Sequence, residues 1–409
     1  MKYEKPFTNA LQGGDKAFRE MKNFSKTAPI FETSVFSFDS LEDVDAYLNG
    51  DPDMYMYSRL DNPNNRQLET RLAALESAES AVVSSSGMAA VFAAVMGLMK
   101  AGGAVSSGTR IVTSRYLYGG TRSLFFQELV PLGFTIVEVD SESPDAVLEA
   151  LNESPRDCLN ILYWETVSNP GMKAADIRKL TEAAHASKPG KGEDGCGLEI
   201  LVDNTFLSPA LFRPLEHGAD AVLHSTTKYL NGHSDATGGA VLSREEVVEH
   251  ARKAVINFGS QLSPFESWLT LRGLQTLPMR MERHSSNALD IAARLKELPE
   301  VYNVCYPGLD SLRDSFPLGA GGMLSFDLES SAAAGRFIRG LNMISFSPSL
   351  AGLQTTVSYP ASTSHRNQSD EMLRSQGISR STIRLSVGLE DPDDIFQDIQ
   401  QALKGGEDV

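Results

Sequence analysis

The stretch His224–Ala240, HSTTKYLNGHSDATGGA, decides how this chain is read. It follows Ala221, Val222 and Leu223, a short apolar run that reads as a buried strand. Three small hydroxyl residues come next, Ser225, Thr226 and Thr227, then Lys228, then a glycine-rich turn. A lysine at the carboxyl end of a strand stands in the crevice where open α/β sheets bind ligands, and there it can become a reactive amine. The hydroxyls suit a phosphate oxygen. A lysine that forms a Schiff base beside a phosphate cradle implies pyridoxal 5′-phosphate, PLP. Taken alone, the segment also fits a solvated lysine in a polar loop, the usual setting of that residue.

Asp203 shifts that balance. In LEILVDNTF, residues 198–206, a mostly apolar run reads as a second buried strand that ends in an acid. PLP needs a carboxylate against its pyridine nitrogen, because the protonated ring is what takes up charge from the substrate Cα. A strand-end aspartate by itself is as readily the cap of the next helix. Asp203 and Lys228 on two strand ends are harder to dismiss together.

Seven blocks recur in a fixed order: YSRLDNP at 57–63, SSGMAA at 85–90, LYGGT at 117–121, ETVSNP at 165–170, VDNTF at 202–206, HSTTKYLNGH at 224–233 and IRLSVGLED at 383–391. In these blocks the chain resembles the PLP-dependent enzymes of cysteine and methionine metabolism: cystathionine γ-synthase, cystathionine γ-lyase, methionine γ-lyase and O-acetylhomoserine sulfhydrylase. An ordered set of this size is far more specific than a single glycine-rich pattern. The resemblance implies the type I aminotransferase fold: an α/β large domain with a mostly parallel sheet, and a smaller α+β carboxyl-terminal domain.

Composition sets bounds. A chain of 409 residues can bury a large core and divide into two or more domains. Its 41% hydrophobic and 22% charged residues are those of a soluble globular protein. A net charge of −16 argues against nucleic acid or an anionic membrane as a partner. The amino terminus has no apolar core of a secretory signal, and the longest apolar run, near AAVFAAVMGLM, is too short to span a bilayer. Cys158, Cys196 and Cys305 have no metal-ligand spacing and suit a reducing compartment, so the expected location is cytoplasmic, with no metal.

The order of elements follows from periodicity. Residues 1–62 hold few periodic stretches, and the resemblance makes them an arm that reaches over a neighbouring subunit. From QLETRLAALE onward, strands (AVVSS, RIVTS, FTIVEVD, CLNILYWE, LEILVDN) alternate with helical patterns (GMAAVFAAVMGLMK, SLFFQELVPLG, PDAVLEALNE, AADIRKLTEAAHA). That alternation predicts a mostly parallel sheet with helices on both faces, a PLP-binding domain over residues 63–258. Residues 259–409 open with a long helical stretch interrupted by Pro278. Strand-like runs VYNVCYP, GGMLSFDLE and IRLSV and a last helix near DIFQDIQQALK follow. GGAVSSGTR at 102–110 and SKPGKGEDGCG at 187–197 read as surface insertions.

The resemblance also assigns a site residue by residue. Gly87 and Met88, where a strand hands over to a helix, would offer backbone N–H groups to the cofactor phosphate, with Ser225 and Thr227 completing the cradle. Tyr57 and Arg59 would reach that phosphate from the adjacent subunit, in a homotetramer built as a dimer of catalytic dimers. Tyr118 would stack on the cofactor ring and donate a proton to the leaving group at Cγ. Asn169 would bond the ring oxygen, and Arg384, helped by Ser349, would grip the carboxylate of an amino-acid substrate. The activity implied is γ-elimination on a γ-substituted L-amino acid, with γ-replacement as the alternative and a non-catalytic scaffold as the reading from another class. Near the substrate side chain this sequence departs from the family pattern. Pro348 stands where an acid is frequent, Gln354 for Glu, Tyr359 for His and Thr363 for Met, while His365 is kept; Gly120 stands where methionine γ-lyases carry Cys.

Overall fold

A computed structural model describes residues 8–9, 25–51, 53–139, 144–155, 157–187, 197–309, 312–363, 366 and 369–405. Cys196, His365 and most of the 187–197 insertion lie outside these residues.

Seven strands form the larger sheet: β1 Ser80–Ser84, β2 Thr109–Ser114, β3 Thr135–Val139, β4 Leu159–Glu165, β5 Leu198–Asp203, β6 Ala221–His224 and β7 Gly239–Ser243. Their order is β1-β7-β6-β5-β4-β2-β3. From β6 through to β3 all pairs are parallel, whereas β7 runs antiparallel to both β1 and β6. The expected parallel sheet is therefore present with one antiparallel strand added. β7 is not among the expected strands, although its Ala240–Leu242 run is as apolar as Ala221–Leu223 of β6, because the Gly238–Gly239 pair before that run reads as a turn. Gly239 opens it, and a Cβ there would lie 2.3 Å from the Ser86 carbonyl oxygen, so only glycine lets this strand start so close to the β1–helix turn.

Through the middle of the sheet both faces are buried, while the edge strand β3 is largely exposed. On β4, Leu162 and Trp164 join one apolar cluster while Ile161 and Tyr163 join the other, the period of two that a strand covered on both sides shows. The helix Gly87–Ala101 is apolar nearly all round. It packs between the sheet and the helix Glu245–Phe258, and this double coverage is why its sequence shows no polar face.

The expected long helical stretch is two helices, Pro264–Leu274 and Leu277–Lys296. Pro278 does not interrupt a helix. It occupies the first turn of the second one, where a missing N–H costs nothing. The segment expected as one helix over 123–133 is a short α-helix, Gly119–Ser123, running into a π-turn, Leu124–Leu129, and a 3₁₀ turn, Val130–Leu132.

A second sheet contains β8 Tyr302–Cys305, β9 Met323–Asp327, β10 Ser345–Phe346, β11 Thr356–Ser358 and β12 Thr382–Ser386, in the order β10-β11-β12-β9-β8. The short β10 and β11 carry no legible apolar pattern. On β12, Ile383 and Leu385 pack into a core with Phe326, Phe337, Ile395 and Ile399. Strand alternation then directs Arg384, between them, to the opposite face. Among the described residues no helix is long and apolar enough to cross a membrane.

Candidate active site

The carboxyl ends of β4, β5 and β6 meet at one cavity of about 520 Å³, and the residues on it come from both sheets. Glu165 ends β4 and Asp203 ends β5, directly opposite one another in register. β6 ends at His224, and the backbone then turns through Ser225 to bring Lys228 to the same cavity. Ligands lie at such carboxyl ends because the chain leaves the sheet there in loops free to carry side chains.

Asp203 Oδ1 accepts the Thr205 N–H at 2.9 Å, and Tyr163 Oη donates to Oδ2 at 3.4 Å. Burial raises its carboxyl above the usual range, while the Thr205 bonds and His224 oppose that rise. His224 is itself buried against Glu76, 2.6 Å from its Nε2. Thr205 also fixes the lysine loop, since its Oγ1 accepts the Ser225 N–H at 2.9 Å.

Lys228 is largely buried, and its amine pKa falls below the ordinary lysine value, first through burial and then through the charge of Arg384. Among the described residues Nζ has no hydrogen-bond or ion-pair partner. A buried amine so placed is held toward its neutral, nucleophilic form. Arg384 is also buried, which lowers its guanidinium to about 10. Its Nη1 donates to Asn169 Oδ1 at 2.7 Å, and its Nε is buried without a partner. A guanidinium buried with a free donor calls for an anion.

Across the cavity the helix Gly87–Ala101 begins. Ser86 caps it, its Oγ accepting the Ala89 N–H at 3.1 Å. The Gly87 and Met88 amides precede the first intrahelical bond, and both residues line the cavity. A Cβ on Gly87 would lie 2.8 Å from the Ser225 Cβ. The helix start and the lysine loop thus close on each other as a cradle of amides and a hydroxyl, a setting suited to an anion.

Of the site residues read from the sequence, Lys228, Asp203, Ser225, Gly87, Met88, Tyr118, Asn169 and Arg384 all line this cavity, as do Pro348 and Thr363. Four do not. Thr227 Oγ1 is taken up by Gly238, donating to its carbonyl at 3.2 Å and accepting its N–H at 3.0 Å. Ser349 hydrogen-bonds through its backbone, to Ser347 and Thr356, beside the cavity. Tyr57 is exposed, and Arg59, 5.6 Å over its ring, donates to the Ile256 carbonyl at 3.3 Å. Thr205 and Glu165 are on the cavity without having been singled out. The signal for Glu165 was present: an acid ending the apolar strand LNILYWE, as Asp203 ends β5.

These features fit PLP. An unpaired buried lysine could bond its aldehyde carbon, the Asp203 carboxylate could face its ring nitrogen, and the Gly87–Ser225 cradle could receive its phosphate. Fold and site together define a PLP-dependent enzyme of the α/β class. The chain belongs to the Cys/Met metabolism PLP-dependent enzyme family, which it matches over residues 8–404. It is 36% identical over 406 residues to an L-methionine gamma-lyase of Pseudomonas deceptionensis, covering 97% of this chain and 96% of that one. It is 38% identical over 380 residues to an O-succinylhomoserine sulfhydrylase of Pseudomonas aeruginosa, covering 91% and 90%. The crystal structure of cystathionine gamma synthase from Xanthomonas oryzae pv. oryzae in complex with cystathionine superposes with a TM-score of 0.86 at 35% identity, covering 98% of each chain.

Proposed function

We propose that the protein catalyses γ-elimination on a γ-substituted L-amino acid, releasing a 2-oxo acid and ammonia. The observation that carries this reading is the convergence of Lys228, Asp203 and Arg384 on one cavity from three different strands or strand ends. PLP, when bound, supplies a protonated ring that takes up the charge left at the substrate Cα. Lys228 would hold it, Asp203 would face its ring nitrogen and favour the protonated form, and Gly87, Met88 and Ser225 would hold its phosphate.

Each protein group then has a defined task. Arg384 binds the substrate carboxylate through donors that Asn169 leaves free. Lys228 Nζ takes the proton from Cα and moves protons at Cβ, which prepares Cγ to release its substituent. Tyr118, a half-exposed residue on the cavity, would stack over the cofactor and donate a proton to the departing group. Asn169 accepts from Arg384 and would orient the cofactor.

Replacement at Cγ by a thiol is the second reading, favoured by the likeness to the sulfhydrylase of Pseudomonas aeruginosa. The residues 1–62 form an arm that places Tyr57 and Arg59 at the neighbouring subunit's cofactor, residues 63–258 and 259–409 form the two domains, and two catalytic dimers make a homotetramer in the cytoplasm. Supporting this, Arg59 lies on the exposed side of its own chain and does not line its own cavity.

Purified protein is tested with methionine, homocysteine, cystathionine and O-acylhomoserines, with and without added thiol, and products are read by mass spectrometry. A 2-oxo acid with ammonia supports elimination; a thioether formed only with thiol supports replacement. Lys228→Ala should remove the cofactor's visible absorption band and lower the rate by about 10²–10⁴-fold. Retention of the band by that variant would refute the lysine assignment.

A further inference from the structure

We propose that Glu165 is a positioning residue whose single carboxylate sets two arms of the site at once: the loop bearing Tyr118 and the turn bearing Asn169. The inference rests on the reading that the cavity takes PLP and an amino acid, and it gives a task to a buried acid that reading leaves idle.

Glu165 is 7% exposed at the end of β4. Its Oε1 accepts the Tyr118 N–H at 2.7 Å and its Oε2 accepts the Asn169 N–H at 3.3 Å. Each oxygen therefore holds one backbone amide, from segments 47 residues upstream and 4 residues downstream. Asn169 in turn receives Arg384 Nη1 at 2.7 Å. One carboxylate thus ties the aromatic side of the cavity to the side that grips the substrate carboxylate.

The placement is costly for a structural role alone. Burial raises the Glu165 carboxyl well above its ordinary range, and the next contribution, from Asp203, is of like charge and acts in the same direction. A buried acid beside a second acid destabilises the fold unless its bonds return something. A neutral amide cannot repeat the arrangement. Glutamine offers one oxygen acceptor, and its NH₂ would meet a backbone N–H donor to donor.

The test compares full-length wild type and Glu165→Gln by hydrogen–deuterium exchange at the Tyr118 and Asn169 amides, and by kinetics. Exchange at one or both amides should quicken by about tenfold, as loss of one hydrogen bond implies. kcat/KM should fall by about 10- to 100-fold with a raised KM, as expected for misplaced binding groups. The visible circular dichroism of bound cofactor should change, because Tyr118 would stack on it in this reading. In an Asn169→Ala background the further rise in KM from Glu165→Gln should be smaller than in wild type, since part of the route to Arg384 is already gone.

Wild-type exchange at both amides overturns the proposal, as does faster exchange with unchanged KM and kcat. If Glu165→Gln does not fold, Glu165→Asp takes its place. That variant keeps both acceptors but withdraws them by one methylene, and the same exchange and kinetic outcomes support or overturn the proposal. The exchange result does not depend on PLP being bound, so failure of the cofactor reading would show separately, as wild type lacking the visible band.

Discussion

Arg384 and Asn169 are 215 residues apart in sequence, yet Nη1 of one lies 2.7 Å from Oδ1 of the other. Arg384 stands on the central strand of the smaller sheet and Asn169 on the turn after β4 of the larger one. This bond holds one edge of the guanidinium and leaves Nε buried and unpartnered, free for another acceptor. The site is therefore completed only when the two sheets are packed together.

Arg384→Lys should raise KM for the amino acid by about 30- to 100-fold, with a smaller change in kcat. A lysine keeps the charge but loses the planar fork, and a charged hydrogen bond is worth about 1.5–3 kcal/mol. Steady-state kinetics check this. A variant with wild-type KM would remove Arg384 from carboxylate binding.

Mixing Arg59→Ala subunits with Lys228→Ala subunits should restore part of the activity that each variant lacks alone. Arg59 serves the partner's site in this reading, so one of the two sites in a hybrid dimer has every residue intact. Activity assays on verified heterodimers decide the matter. No recovery would mean that Arg59 acts within its own subunit.

Pro348 and Leu350 lie on the cavity wall, with Thr363 nearby. Where the family pattern often has an acid, this wall offers an apolar ring. A substrate with a distal ammonium, such as cystathionine, should therefore be poorer than an uncharged γ-substituted amino acid. Pro348→Glu should shift the ratio of kcat/KM values toward cystathionine through charge pairing in a partly desolvated pocket. A wild-type preference for cystathionine, or a ratio insensitive to the added Glu, would displace Pro348 from the side-chain subsite.

Asp220 supplies a pH test remote from the chemistry, at the end of β6 opposite Lys228. Burial, with Glu199 adding like charge, raises its carboxyl from 3.8 to about 6. Between those values the folded state binds a proton that the unfolded state has released. Stability therefore falls as pH rises through this window, and the full cost is present above about pH 6. Asp220→Asn keeps an oxygen for the Ile200 N–H, which lies 2.7 Å from Oδ2. The variant should match wild type near pH 4 and exceed it by about 1–2 kcal/mol near pH 8. Urea unfolding at both pH values measures it, and equal stabilities near pH 8 would refute the burial cost.

The sequence by itself determined the large sheet, because apolar runs ending at Glu165, Asp203 and His224 alternate with helical patterns, and both periods are local properties of the chain. It also picked out Asp203, at the end of β5, and Lys228, in the loop after β6, which the structure brings to one cavity. Tertiary structure alone decided the rest. Thr227 and Ser225 are equivalent as hydroxyls in the sequence, but the path of the Gly238 backbone takes up one and leaves the other on the cavity. The Ala240–Leu242 run of β7 is as apolar as that of β6, but its insertion between β1 and β6, antiparallel to both, is set by packing that no local pattern records. The partners of Glu165 and Arg384 were invisible for the same physical reason. A hydrogen bond is satisfied by whichever donor or acceptor packing brings within reach, and for Arg384 that is a side chain 215 residues away.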